Sequence, residues 1–409
     1  MRVADLRPGM TLGEAVRDVN GRLLMGEGTS LSERFIGVLK AWGIGEVAVT
    51  GESPREEKCP WDAAPEDLEG KARELVEARL ALNMADHPFL RDVRGLALAR
   101  TAALLGRGLY PFPPPRGPEA GAAPELPPLD IRALTGADME LGAMPEILSR
   151  LAQAMEDPSA SPVEVAQIIM NDPGLTAKLL KVVNSAMYGF PQRIDTISRA
   201  VTVIGVQQLS ALALGLTVMD LFKDVDKSLL DLTGFWRHCL ACACGARALA
   251  SLLGQANTER YFVAGLLHDV GLLLLILHAP GRVRPALEAA RSGEGLIEAE
   301  RRILGVDHAG AGAALLKSWR LPPSLVTAAA CHHDPLCCAG PRDPAIVHVA
   351  DFLAEAIVFG SGGQGTLMPL NLAAFDLLGA PGGVAGMVFE RVDAQLGQLE
   401  SIFLSNAAS

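Results

Sequence analysis

Gly265-Leu266-Leu267-His268-Asp269-Val270-Gly271 sets an imidazole and a carboxylate side by side inside an apolar run that extends over 261–278. Without partners, both groups would carry a heavy desolvation cost there. A divalent metal is the simplest partner, because it takes an imidazole nitrogen and a carboxylate oxygen together. Further candidates follow in order along the chain: His238 before the pair, then His308, the adjacent His332 and His333, and Asp351. Five of the eight histidines fall in this one series. His268 and Asp269 interrupt the run, so it predicts a buried helix over 261–277 and no membrane insertion.

Outward from that helix, residues 130–360 read as helix after helix with no strand signal, which predicts an all-α domain. Ser161-Pro162-Val163-Glu164 has the form of a capping box with proline at the first helical position. Asp172-Pro173 opens the next helix, whose apolar face is Leu175, Leu179, Leu180 and Val183. Asn184-Ser185 ends it, and both of these polar pairs read as capping groups. Further helices are expected over 198–205, 209–222, 235–253 and 322–333. Asp343-Pro344 should cap the helix that carries His348 and Asp351.

The remainder divides by composition. Residues 1–51 read as a small β-rich module with one helix over 32–42, in which Asn20-Gly21 marks a hairpin. Residues 52–128 hold a polar linker, two helices within 66–107 and a proline-dense spacer over 111–128. The helical domain spans 129–360, and 361–409 form a loop and a helix over 384–403. The expected fold is therefore mainly α: a multi-helix bundle with a small N-terminal α+β module.

A chain of 409 residues exceeds one average core. Its net charge of −11 opposes nucleic-acid binding, which depends on neutralising phosphates. MRVADLRPGM lacks the apolar core of a signal peptide, and seven cysteines without a framework of spacings suggest a reducing cytoplasm. Cys239-x-x-Cys242 lies in a run of small residues, where cysteine serves as a compact core residue. A zinc site would need a second pair, and the adjacent Cys337-Cys338 chelate one metal poorly.

Metal sites in helical bundles draw side chains from facing helices. His238, His268, Asp269 and Asp351 would hold one ion. His308, His332 and His333 would add a second, with Asp269 bridging. Imidazole with carboxylate suits Fe, Mn, Zn or Ni, as one ion or two. Each residue also has a purely structural reading. His238 fits a hydrogen-bonded core position, and His308 a helix start capped by Asp307. His332 and His333 fit a helix end that favours imidazolium, and Asp351 a pair with His348. His278 and His348 fit no ligand slot.

His238, His268-Asp269 and Asp351 resemble the metal signature of the HD phosphohydrolase superfamily. Asn171-Asp172-Pro173-Gly174-Leu175-Thr176, Lys178-Leu179-Leu180, Val183 through Gly189, Ile194 through Ala200, Phe235-Trp236-Arg237-His238, Glu300, Gly305, His308, Gly312, Trp319, Leu321-Pro322 and His333-Asp334-Pro335 resemble the HDOD domain over about 130–355. That resemblance implies an HD-type helical bundle acting in bacterial signal transduction. It implies a regulatory module that binds a partner protein or a nucleotide, without demonstrated hydrolase activity. Leu6-Arg7-Pro8-Gly9-Met10 and Gly21-Arg22-Leu23-Leu24 resemble the module preceding some HD-GYP cyclic-di-GMP phosphodiesterases. Two departures from the HD-GYP pattern put cyclic-di-GMP hydrolysis in doubt. Leu272 stands where that pattern has lysine, and Asp334-Pro335-Leu336-Cys337-Cys338 replaces its Gly-Tyr-Pro segment. A metal-dependent phosphohydrolase acting on another phosphodiester or nucleotide is the alternative. The sequence does not specify an oligomeric state.

Overall fold

The computed structural model describes residues 2–7, 10–14, 16–17, 23–25, 31, 36, 39, 46–50, 66–106, 127–134, 146–157, 159–185, 188–291, 293–357 and 367–404. Near the N-terminus, β1 (Thr11–Leu12) pairs antiparallel with β4 (Val49–Thr50), and β2 (Val16–Arg17) with β3 (Leu23–Met25). Val3, Leu6, Leu12, Val16, Leu31, Ile36, Leu39 and Val47 form a separate small core around them. The Asn20-Gly21 turn, most of the helix expected over 32–42, the polar linker and most of the proline-dense spacer lie outside the described residues.

All other described elements are helical. α1 (Glu66–Arg79) and α2 (Pro88–Gly106) form an antiparallel pair. After the single turn α3 (Ile131–Leu134) come α4 (Glu146–Glu156), α5 (Pro162–Met170), α6 (Pro173–Val183), α7 (Ile197–Ile204) and α8 (Val206–Leu221). The central layer is α9 (Leu232–Leu252), α10 (Thr258–Leu267) and α11 (Val270–His278), followed by α12 (Pro280–Arg291) and α13 (Leu296–Leu304). α14 (His308–Ser318), α15 (Pro323–Cys331), α16 (Arg342–Ile357), α17 (Leu372–Leu378) and α18 (Val384–Phe403) complete the bundle. Apolar residues from Val76 to Phe403 join in one core, so α1, α2, α17 and α18 pack with the central helices. The stretch Thr258–His278 is long and apolar enough to cross a membrane, but 83% of its most apolar window is buried within the protein.

Local chemistry explains most helix ends. Asp172 accepts from the Leu175 amide at 3.0 Å, Thr196 from Arg199 at 3.3 Å and Asp307 from Gly310 at 2.7 Å, each capping the helix that follows. Asn184 closes α6 by donating to the Leu180 and Ile194 carbonyls, both at 2.7 Å. The capping box expected at Ser161 does not form: its side chain makes no cap hydrogen bond. Pro162 at the first helical position already removes one amide that would otherwise need a partner.

One difference from the sequence expectation matters for everything downstream. The single helix expected over 261–277 is two helices, α10 and α11, with His268 and Asp269 in the turn between them. In an unbroken helix adjacent residues point in different directions. The break lets both side chains of the pair reach one cavity.

Close helix contact fixes that cavity. Gly265 lets α10 approach α9, since a Cβ there would lie 2.8 Å from the Ala243 Cα. Gly271 lets α11 approach α14, since a Cβ there would collide with the His308 carbonyl and the Gly312 amide. These neighbours are backbone atoms and cannot turn aside as a side-chain tip can. Gly271→Ala should therefore destabilise the fold by about 2 kcal/mol or more. The chemical-denaturation midpoint measures this, and an unchanged midpoint would refute the contact.

Candidate metal centre

Five chain segments deliver the candidate ligands. His238 lies in the middle of α9 and is buried. His268 and Asp269 occupy the α10–α11 turn, and His308 is the first residue of α14. His332 and His333 follow the last residue of α15, and Asp351 lies within α16. All seven residues expected as ligands come together, in two adjacent groups. His238, His268 and Asp351 form one, and Asp269, His308, His332 and His333 the other, with the ligand atoms of each group within 4.8 Å of one another.

Asp269 joins the two groups. Its Oδ2 lies 3.3 Å from His268 Nε2 and 3.8 Å from His238 Nε2. Its Oδ1 lies 3.2 Å from His332 Nε2 and 3.4 Å from His308 Nε2. In the first group, Asp351 Oδ1 is 3.0 Å from His238 Nε2 and 3.5 Å from His268 Nε2. In the second, His308 Nε2 and His333 Nε2 are 2.9 Å apart.

The rear nitrogens of three rings are anchored. His268 Nδ1 donates to the Gly265 carbonyl and His332 Nδ1 to the Ala329 carbonyl, both at 2.8 Å. His308 Nδ1 donates to the Glu300 carboxylate at 2.7 Å, and the same oxygen accepts from the His308 amide at 2.8 Å. With Nδ1 protonated, each Nε2 keeps its lone pair for the cavity, which is the arrangement expected behind metal-ligating imidazoles.

The electrostatics separate the rings. Burial opposes charge on His268, but Asp269 and Asp351 outweigh it and hold the imidazole well above its ordinary range. On His308, burial is likewise outweighed by Glu300 and Asp269. Burial lowers His332, and burial together with His332 and His308 depresses His333 strongly. Despite burial, His268 and its neighbouring rings hold Asp269 and Asp351 well below the usual carboxylate range.

The donor set fits divalent metal. Asp269 Oδ1, His332 Nε2 and His238 Nδ1 are buried without a hydrogen-bond partner. The first two lie 3.2 Å apart. Two buried lone pairs left facing one cavity are costly unless a cation lies between them.

The structural alternatives resolve residue by residue. Asp307 does cap α14, and His308 faces the cavity as well. Asp351 turns to His238 and His268. His348 stands outside the cluster: its Nδ1 donates to the His332 carbonyl at 2.7 Å and its Nε2 accepts from the Asn371 amide at 2.9 Å. Leu272 is buried. Sequence reasoning missed the part of Glu300 in orienting His308, for which no spacing rule gives a signal. It also missed Glu355, whose carboxyl burial and the Asp351 charge push up to about 7. The spacing of four residues from Asp351 on one helix was the available clue.

Ion binding competes with protonation of His268 and His308, which the carboxylates around them favour. Affinity for Mn²⁺ should therefore rise with pH, and go on rising above about 6.5, the ordinary imidazole midpoint. Titration calorimetry at several pH values checks this, and pH-independent affinity would contradict it. Glu300→Gln keeps the size of the side chain but weakens the hold on His308, and should cost roughly tenfold or more in affinity for the second ion.

Known proteins share this architecture. The family model of the HDOD domain matches residues 141–335. A crystal structure of an HDOD domain protein of unknown function from Geobacter sulfurreducens is 25% identical, with a TM-score of 0.57 over 66% of this chain and 95% of that one. A Shewanella amazonensis SB2B structure, described provisionally as a phosphohydrolase, is 24% identical, with a TM-score of 0.54 over 66% of this chain and 98% of that one. An uncharacterised protein of Treponema pallidum (strain Nichols) is 28% identical over 205 residues. That match takes in 48% of this chain and 38% of the length of the curated relative.

Proposed function

We propose, from the premise that residues 141–335 of this chain are an HDOD domain, that the protein is a signal-transduction regulator built around a dinuclear divalent-metal centre. The observation that carries this reading is the Asp269 carboxylate, which turns one oxygen toward each histidine group. His238, His268, Asp269 and Asp351 hold the first ion, and Asp269, His308, His332 and His333 the second. Fe, Mn, Zn and Ni all suit this nitrogen and oxygen set. Occupancy of the centre ties together α9, the α10–α11 turn, α14, α15 and α16, so gaining or losing an ion shifts how these helices pack. A partner protein or a bound nucleotide reads that state.

A second reading is favoured by the same bridging carboxylate: a metal-dependent phosphohydrolase. Bound ions would supply Lewis acidity toward a phosphoryl oxygen. The chain's own residues then orient the imidazoles and exclude water from their rear faces. Cyclic-di-GMP is disfavoured as substrate by Leu272 and by Asp334-Pro335 following the paired histidines.

Protein purified without chelator should carry about two divalent ions per chain, and Asp269→Ala should lose both. Elemental analysis finding no transition metal in the wild type would sink both readings. Paired with that analysis, a nucleotide and phosphodiester screen separates them. Metal without turnover supports the regulator, whereas turnover abolished in Asp269→Ala supports the hydrolase.

A further inference from the structure

We propose that Cys331 and Cys337 form a peroxide-responsive disulfide that closes a ring around His332 and His333 and slows metal exchange at the Asp269 centre. The effect on exchange rests on the metal reading above, whereas the disulfide itself does not. Cys337 Sγ lies 2.9 Å from Cys331 Sγ. Cys331 is the buried last residue of α15. Cys337 is exposed and ends the short 3-10 turn Pro335–Cys337. The adjacent thiol of Cys338 also lies against Cys331 and donates to the Pro335 carbonyl at 3.6 Å. Cys239 and Cys242, read from the sequence as compact core residues, are buried in α9, and Cys337 faces Cys331.

Only His332, His333, Asp334, Pro335 and Leu336 separate the two sulfurs along the chain. The enclosed segment therefore carries two proposed ligands of the second ion. One end is already pinned, because the His332 carbonyl accepts from His348 and its ring donates to Ala329. The far end is held at Cys337. A covalent link there removes the freedom the segment needs to swing His333 away from His308 and release an ion.

The chemistry balances with a peroxide as oxidant. The exposed Cys337 sulfur, as thiolate, attacks one peroxide oxygen; the O–O bond breaks, and the other oxygen leaves as water after taking a proton. The resulting sulfenic acid meets the Cys331 sulfur. The S–S bond forms, the S–O bond breaks, and the hydroxyl leaves as water with the Cys331 proton. Two thiols lose two electrons, and one peroxide becomes two waters.

The Asp334–Pro335 bond supplies a direct test, since dilute acid cleaves Asp–Pro bonds and separates Cys331 from Cys337. Reduced full-length protein is treated with hydrogen peroxide, quenched, cleaved and weighed by mass spectrometry. Asp157–Pro158, Asp172–Pro173 and Asp343–Pro344 are cut as well, so the sulfurs lie on fragments 173–334 and 335–343. These two should stay joined until reductant is added, in the wild type and in Cys338→Ser but not in Cys337→Ser. In parallel, loss of bound Mn²⁺ to excess chelator should be roughly tenfold slower from the oxidised chain than from the reduced one. Separate 173–334 and 335–343 fragments, a link that survives Cys337→Ser, or an unchanged release rate would overturn the proposal. If the reduced chain takes up no Mn²⁺, the metal reading fails and the effect on exchange falls with it, while the mass readout still decides the disulfide.

Discussion

The Asp269 carboxylate is the constraint around which the rest of the structure is arranged. Its two oxygens face different histidine groups, Oδ2 toward His238 and His268 and Oδ1 toward His308 and His332. Serving both at once goes with a helix that stops at Leu267 and restarts at Val270. The α10–α11 turn does this, and Gly271 then lets α14 press close enough to bring His308 within reach. A buried anion in such a place is tolerated only with cations around it. The carboxylates around His268 and His308 favour their protonated forms, which offsets that charge.

The bundle works as a clamp on this point. α9 is rich in alanine, cysteine and glycine along the face that meets α10 and α16, so the backbones approach closely. A Cβ on Gly245 would already sit 3.4 Å from the Ala350 Cβ. Interiors packed this tightly do not deform continuously, so on the regulatory reading a change in the charge at the centre would be passed on as a shift between helices. The same rigidity supports regulation and hydrolysis alike, which is why the fold does not choose between them.

Much of this was legible from residue spacing. Helical periodicity located α1, α2, α5 to α9, α15, α16 and α18, because an apolar face with polar flanks leaves few alternatives; α4, α12 and α13 were not placed individually, and α17 lies in the stretch expected to be loop. The ordered series of histidines and acids located the cluster, since buried imidazole and carboxylate in apolar surroundings need a common partner. Other features were not legible. The break at His268 and Asp269 has no decisive local signal: the apolar run continues on both sides of the pair, and Gly265 and Gly271 weaken a helix without marking where it ends. Glu300 was visible only through family resemblance, because its reach to His308 spans the α13–α14 connection. The Cys331–Cys337 contact depends on a turn after α15 whose shape the sequence does not announce.

The central claim is that one carboxylate bridges two ions. The most direct measurement is anomalous X-ray diffraction from crystals of the protein grown with Mn²⁺, with data collected on both sides of the manganese edge. The account predicts two anomalous peaks on opposite sides of the Asp269 carboxylate, about 3.5–4 Å apart. One would be enclosed by His238, His268 and Asp351, the other by His308, His332 and His333. No peak within reach of Asp269, in a protein whose side chains hold the arrangement described, would contradict it.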